Sequence, residues 1–440
     1  MLCISYDAMN ILFIENVWLG GAKYGLFDKK ILTAFSILPT LYTRQLAAIT
    51  PKSHNVTVCN ERYNNIPYNQ AFDIVNINYT TSTAPHAYEI AENFKKKGIA
   101  VVLSGLHASA VPDEAMKHAD SVLLGRGEMN WLTLLNDFEN KNLKKLYQPA
   151  PYTEKFSIPP TNIKLPGFVI NGAIEATRGC PYKCTFCPEA NIPGGHQYYE
   201  RPVADVIKEI RSLPQKIFNF YDNSLTINPK YTKELFKKMS GIKKKFSCNG
   251  NANVLANDNE LVKLSKKAGC VSWLIGFEST SQKTIDSVGK TTNTIDEYEQ
   301  AVQNIHENGM VVVGDFMFGF DNDTKDVFDN TLKTIQKLEI DVCDFCILTP
   351  FPGTPIFKQL EDQNRILTKD WSKYTLKNVV FQPKQMTKDE LIIGVRKIYK
   401  TFYSNSYNIK RIARSLKLGI YPFFLVLERN LSSKMSVRYL

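Results

Sequence analysis

The sequence predicts an α/β protein made of two consecutive parallel-sheet units and a helical C-terminal extension. Short apolar runs ending in Gly or polar residues recur through the first 127 residues, six further strand-and-helix repeats begin at residue 169, and a proline-rich stretch separates the two series. Such alternation builds parallel sheets, because parallel neighbours need a crossover and the crossover helices cover both sheet faces. The units are assigned as 1–146, a linker at 147–168, 169–350 and 351–440.

With 440 residues, 44% of them hydrophobic, the chain is too long for one ordinary core and too apolar for disorder. Lys plus Arg outnumber Asp plus Glu by 54 to 43, but the excess is spread through Lys-rich helices, so no nucleic-acid partner is expected. No Lys or Arg precedes Lys23, and no stretch nears the roughly 18 apolar residues of a membrane span. A cytoplasmic protein is therefore expected. Nine cysteines, an odd number in a chain with ample core, argue against a disulfide framework.

In the first unit the strands are NILFIEN from residue 10, VTVCNE at 56–61, FDIVNINY at 72–79, IAVVLSG at 99–105 and SVLLGRG at 121–127, with AYEIAENFKKK as a helix. The pattern predicts a doubly wound sheet with helices on both faces. Ligands of such sheets sit beyond the strands' carboxyl ends, so residues 16–21, 80–83, 104–107 and 125–128 share one rim. That rim includes Thr80, Ser82, Ser104, Gly105, His107, Gly125, Gly127 and Glu128. Its glycines serve either close approach of a planar cofactor or ordinary strand-to-helix turns. WLGGAKYG has the wrong spacing for a nicotinamide-binding loop. Five prolines in residues 147–168 mark a linker or strap.

The second unit opens with a strand ending in TRG, and then Cys180, Cys184 and Cys187 in C-x-x-x-C-x-x-C spacing. Three thiolates on one loop fill three corners of a four-iron cubane and leave one iron open for a bidentate molecule. Structural zinc would want a fourth ligand, and the nearest histidine, His196, is nine residues beyond Cys187. The segment resembles the radical S-adenosylmethionine (SAM) superfamily, with Phe186 as the aromatic before the third cysteine. The resemblance implies a 4Fe-4S cluster on the three cysteines, SAM on the open iron, and a 5'-deoxyadenosyl radical that abstracts hydrogen from a substrate. It also implies a one-electron reductant such as flavodoxin or ferredoxin.

Strand-like runs at 169, 216, 244, 271, 310 and 342, with helices such as NELVKLSKKAG between them, predict a partial (β/α)6 barrel with its chemistry at the strands' carboxyl ends. Asp222 and Asn223, Asn249 and Asn251, and Glu278 and Ser279 then face one cavity. By the resemblance, Gly276, Glu278 and Ser279 in IGFES approach SAM, Met317 and Gly319 in FMFGF lie against adenine, and Asp222 contacts SAM or substrate. Cys343 and Cys346, three apart on a strand, face opposite sides and are read as packed residues, as are Cys248 and Cys270.

The order of units, with GLHASAVPDEAMKHADSVLLGRGE in the first, resembles the cobalamin-binding branch of the superfamily. No histidine here sits in D-x-H-x-x-G, so cobalamin without a protein histidine on cobalt is implied. In that setting Ser104, Gly105, Gly125 and Gly127 contact the corrin and its tail, and residues 80–83 lie near its lower face. LTPFPGTPIFKQLEDQNRILTKDWSKYTLKNVVFQP resembles the extension of hopanoid C-2 methylases, which points to a small-molecule or lipid-like substrate. The implied reaction is methyl transfer to an unactivated carbon, with ring closure or another redox reaction, with or without cobalamin, as the alternative. A non-catalytic iron-sulfur or corrinoid carrier is the alternative of another class. Residues 411–440 carry six Lys or Arg against Glu428 alone, which fits peripheral membrane contact, or, the preferred reading, a helix closing the barrel.

Overall fold

In the computed structural model, residues 8–15, 41–61, 64–150 and 171–436 are described. The expected rim segment 16–21, WLGGAKYG, most of the linker, and Arg438, the last cation of the tail, lie outside them. Six strands, β1 (Asn10–Glu15), β2 (Asn55–Asn60), β3 (Ile74–Asn78), β4 (Ala100–Ser104), β5 (Ser121–Leu123) and β6 (Leu146–Tyr147), form a parallel sheet of order β2-β1-β3-β4-β5-β6. The chain reverses direction across the sheet between β1 and β3, which opens a crevice at their carboxyl ends. Apolar layers cover both faces, one around Val75, Ile90 and Leu103 and the other around Phe13, Ile74 and Trp131. Strand β6 lay outside the sequence expectation; two residues at a sheet edge carry too little periodicity to be read.

The second sheet contains β7 (Asn171–Ile174), β10 (Ile217–Phe220), β11 (Lys245–Asn249), β12 (Cys270–Glu278), β13 (Val311–Phe318) and β14 (Val342–Ile347), in the order β14-β13-β12-β11-β10-β7, all parallel. Sequential parallel order with a helix after each strand gives the partial barrel that was expected. A short antiparallel ribbon, β8 (Thr177–Arg178) with β9 (Tyr199–Glu200), brackets the cysteine loop. After β14 the chain forms the helix Pro355–Asp362, an isolated bridge between Ile366 and Phe381, and the helices Lys388–Phe402, Asn405–Ser415 and Ile420–Ser436. Val426 of the last helix is fully buried against Val311, Val313 and Val342, so this helix closes the end of the barrel where the strands begin.

Candidate active site

Backbone bonds hold the cysteine loop. Gly179 enters it at φ 72°, where a Cβ would lie 2.0 Å from the Gln197 carbonyl, so only glycine fits. The Cys180 amide donates to Gly195 O (2.9 Å), the Thr185 amide to Val288 O (3.0 Å) and the Ile356 amide to Thr185 O (3.2 Å). Asn191 Nδ2 donates to the carbonyls of Cys184 (3.0 Å) and Cys187 (2.7 Å). Cys184 is buried, and Cys180 and Cys187 are half-buried. Burial pushes all three thiols up, Cys187 to about 11, while the Lys290 ammonium pulls Cys180 and Cys184 back toward thiolate. Among the described residues no group of three or more His, Cys, Asp or Glu converges on a single metal point. His196, the distant zinc candidate, is exposed and bonds the Cys180 carbonyl at 3.1 Å. Three thiols without disulfide partners, facing a cation, fit an iron-sulfur cluster.

Glu278 ends β12 beside this loop. A register shift between Gly276 and Glu278 and a positive φ of 61° turn the carboxylate back over Gly276, whose absent side chain makes the room: a Cβ there would meet Glu278 Oε1 at 2.4 Å. Lys290 Nζ lies 3.1 Å from that oxygen. Burial alone would discharge Lys290, but the charges of Glu278, Cys184 and Cys187 hold it protonated. The strand end is pinned by Asn293 Nδ2 on Gly276 O (2.8 Å) and by the Tyr298 hydroxyl on Phe277 O (2.9 Å). Ser279 is buried in the turn that follows, accepting from the Ser281 amide at 3.1 Å. Sequence reasoning missed Lys290; its signal, a lysine twelve residues after Glu278, has no meaning until the 288–293 loop folds against the cysteines.

Several expected contacts have other roles. Asp222 is fully buried, and the Ala176 amide and the Thr177 amide and hydroxyl donate to its carboxylate. It ties down the segment leading into the cysteine loop instead of facing SAM, and burial with the nearby Glu175 raises its pKa to about 7. The Phe186 ring is in the core, edge-to-face with Phe320 at 5.9 Å. Gly319 (φ 107°) abuts Leu391 and Phe381 of the extension, and its amide donates to Asp323 at 2.9 Å. Met317 is half-buried in register with Cys346. Below them Asp315, also unforeseen, is in register with Asp344. Arg429 from the last helix takes Asp344 at 2.7 Å, while Asp315 Oδ1 has neither solvent nor a hydrogen-bond partner among the described residues. Burial and the adjacent Asp344 and Glu278 charges push the Asp315 carboxyl well above the usual carboxylate range.

The rim of the first sheet meets this site. The short helix Leu106–Ala110 packs on Pro188–Asn191, just after Cys187, and Gly125 backs onto Pro193. The expected cofactor role of Glu128 gives way to an interdomain ion network. Glu128 pairs with Arg178, Arg178 Nε with Glu175 (2.6 Å), and Glu175 with Arg126, all but Arg126 fully buried. His107 likewise is fully buried, its ring between Thr81 Oγ1 (3.2 Å) and Glu114 (3.4 Å), with Trp371 of the extension donating to Glu114 at 3.0 Å. The Ser104 hydroxyl bonds Asn76 inside the sheet at 3.1 Å. Gly105, Gly125 and Gly127 have positive φ, and protein atoms stand within 3.0 Å of each missing Cβ, so they are turn residues. The Gly125 amide is taken by Ser109 at 2.9 Å. Thr80, exposed, caps the turn that follows by bonding Thr83 through its amide (3.1 Å) and hydroxyl (3.4 Å), and Ser82 beside it is half-buried on the rim.

The family model of the radical SAM superfamily matches residues 174–335. Two methyltransferases of Chlorobaculum tepidum are similar along most of both chains. The bacteriochlorophyllide d C-12(1)-methyltransferase is 30% identical over 83% of this chain and 83% of its own length. The C-8(2)-methyltransferase is 31% identical over 77% and 79%. An anaerobic magnesium-protoporphyrin IX monomethyl ester cyclase of Cereibacter sphaeroides is 28% identical over 72% of this chain and 48% of its own. The hopanoid C-2 methylase of Rhodopseudomonas palustris reaches 23% over 45% of this chain and 39% of its own, so that expected kinship is the weaker one. In fold, the chain resembles the radical SAM methyltransferase TsrM from Kitasatospora setae (TM-score 0.64, 15% identity, 81% of this chain and 78% of that one). It also resembles the cobalamin-dependent radical SAM enzyme OxsB (0.68, 14%, 97% and 72%). The chain is therefore an enzyme of the radical SAM superfamily, with its radical SAM domain joined to an N-terminal parallel sheet in a fold like those of TsrM and OxsB.

Proposed function

We propose that the protein is a cobalamin-dependent radical SAM C-methyltransferase acting on an unactivated carbon of a small molecule. The observation that carries this reading is the match, over about four-fifths of both chains, to two methyltransferases whose named substrates are bacteriochlorophyllides. When bound, the cluster and SAM supply a hydrogen-abstracting radical, and cobalamin supplies a methyl group on a weak bond to cobalt. In this reading Cys180, Cys184 and Cys187 hold the cluster. Glu278, oriented by Lys290 and by the space over Gly276, accepts hydrogen bonds from SAM, with Ser279 and Met317 nearby. Thr80 and Ser82 face cobalamin across the rim. Asp315, whose buried Oδ1 has no hydrogen-bond partner among the described residues, is the side chain left to bond a polar atom of the substrate. The reducing electron comes from a flavodoxin- or ferredoxin-type partner.

Ring closure is the second reading, favoured by the similarity to the cyclase of Cereibacter sphaeroides. Product stoichiometry separates the two. The anaerobically reconstituted protein would receive SAM deuterated on its methyl group and candidate substrates, starting with bacteriochlorophyllide d. Methylation requires the label in the product, with about one equivalent each of S-adenosylhomocysteine and 5'-deoxyadenosine per turnover. Conversion with 5'-deoxyadenosine alone and no label moves the assignment to ring closure.

A further inference from the structure

Of the ten large apolar side chains that stand exposed among the described residues, six lie between 409 and 431, so exposure is concentrated in one place. Ile420 (60% exposed), Phe424 (58%) and Leu431 are spaced along one face of the last helix, with Tyr421 beside them; Ile409 and Leu416 share a face of the helix before it. The opposite side of the last helix is the one that buries Val426 in the barrel, so this stripe is turned outward.

Cations border the stripe. Lys245 Nζ sits 5.3 Å from the centre of the Tyr421 ring. Lys266 reaches Gly309 beside the Leu418 carbonyl, and the positive charge of Lys245 adds to burial in lowering its pKa. Lys410 and Lys417 are exposed on the hairpin itself. None of the four has an acidic partner among the described residues, whereas Lys233, Lys325, Lys337 and Lys397 elsewhere on the surface are all ion-paired. A second copy of this chain would set like charges against one another around the stripe, which disfavours self-association.

We propose that the 409–431 hairpin docks the enzyme on an anionic phospholipid surface, with the stripe in the interfacial layer and the lysines over lipid phosphates. Because Lys245, Val311 and Val342 begin their strands, the hairpin covers the end of the barrel opposite the cysteine loop, about 26 Å away along an eight-residue strand. The docked enzyme thus turns its active rim away from the membrane. The surface is an anchor, and it does not depend on which reaction the rim performs.

Vesicle flotation of the full chain tests this. Wild type should float with phosphatidylcholine vesicles half substituted by phosphatidylglycerol, and about tenfold less with phosphatidylcholine alone or at about 0.5 M salt. The Ile420→Asp/Phe424→Asp variant and the Lys410→Glu/Lys417→Glu variant should each bind about tenfold more weakly, with reductive SAM cleavage and thermal midpoint unchanged. If the apolar variant loses its fold, the lysine variant decides, since it alters only exposed side chains. Wild type that ignores the charged vesicles, or variants that bind them equally well, would overturn the proposal. So would a dimer, seen by light scattering, that Ile420→Asp/Phe424→Asp dissolves, because the stripe would then belong to a second copy.

Discussion

At the cysteine loop the backbone carries the hydrogen bonds, through the amides of Cys180 and Thr185 and the carbonyls of Cys184 and Cys187, and the thiols of Cys180 and Cys187 take only backbone amides, those of Tyr182 and Ala190. At the rim of the first sheet the side chains carry them: His107, Glu114, Ser104 and Glu128 are each consumed by the protein's own network. A loop braced by its backbone can offer every side chain to a cofactor. A rim braced by its side chains offers shape, a few hydroxyls and its backbone. The contrast fits a covalently ligated cluster on one side and, on the other, a large cofactor held over many weak contacts.

Breaking the first rim should have the largest effect. Cys184→Ala removes a ligand that no neighbouring thiol can replace; reductive SAM cleavage should fall to background, and iron and sulfide analysis should show loss of the four-iron cluster. Retention of an active cluster would contradict the ligand set.

The tie between the rims comes next. Arg178→Ala takes from the buried Glu128 the cation it pairs with and leaves Glu175 with Arg126 alone, and removing one partner of a buried pair costs about 3–5 kcal/mol. Denaturant unfolding should show that loss. A double-mutant cycle with Glu128→Ala should recover part of it, since the orphaned charge is then gone too. Purely additive losses would mean that the two residues do not act as a pair.

Smaller effects sharpen the comparison within the cysteine rim. Glu278→Gln and Lys290→Gln should each weaken SAM binding about tenfold with the cluster's spectrum retained, because each leaves its partner's charge uncompensated beside the thiols. Calorimetric titration with unchanged SAM affinity would reject the role. A further effect is expected in the pH dependence of stability. The Asp222 pKa is about 7 in the folded protein and lower unfolded, so the folded state binds the extra proton between the two values and stability falls as pH rises from about 4 to 7. Asp222→Asn should flatten that part of the profile relative to wild type; an identical slope would show that Asp222 titrates normally.

Local patterns in the chain are enough to specify both sheets, the cysteine triad and the glycine before Glu278, because strand alternation, loop spacing and a missing side chain are written over a few consecutive residues. The last helix was legible only in part: the apolar run from Ile420 to Leu427 is too short to span a bilayer, and Val426 is buried in the barrel, but Ile420, Tyr421 and Phe424 stand exposed instead of being buried with it. What tertiary structure alone decided was which polar residues remain free. Asp222, His107 and Glu128 look available in sequence and are spent on partners 7 to 50 residues away. Lys290 and Asp315 look ordinary and stand in the site. Whether a charge is paired depends on what the fold brings within hydrogen-bond reach, and that partner is set by the packing of one sheet against another, not by neighbours along the chain.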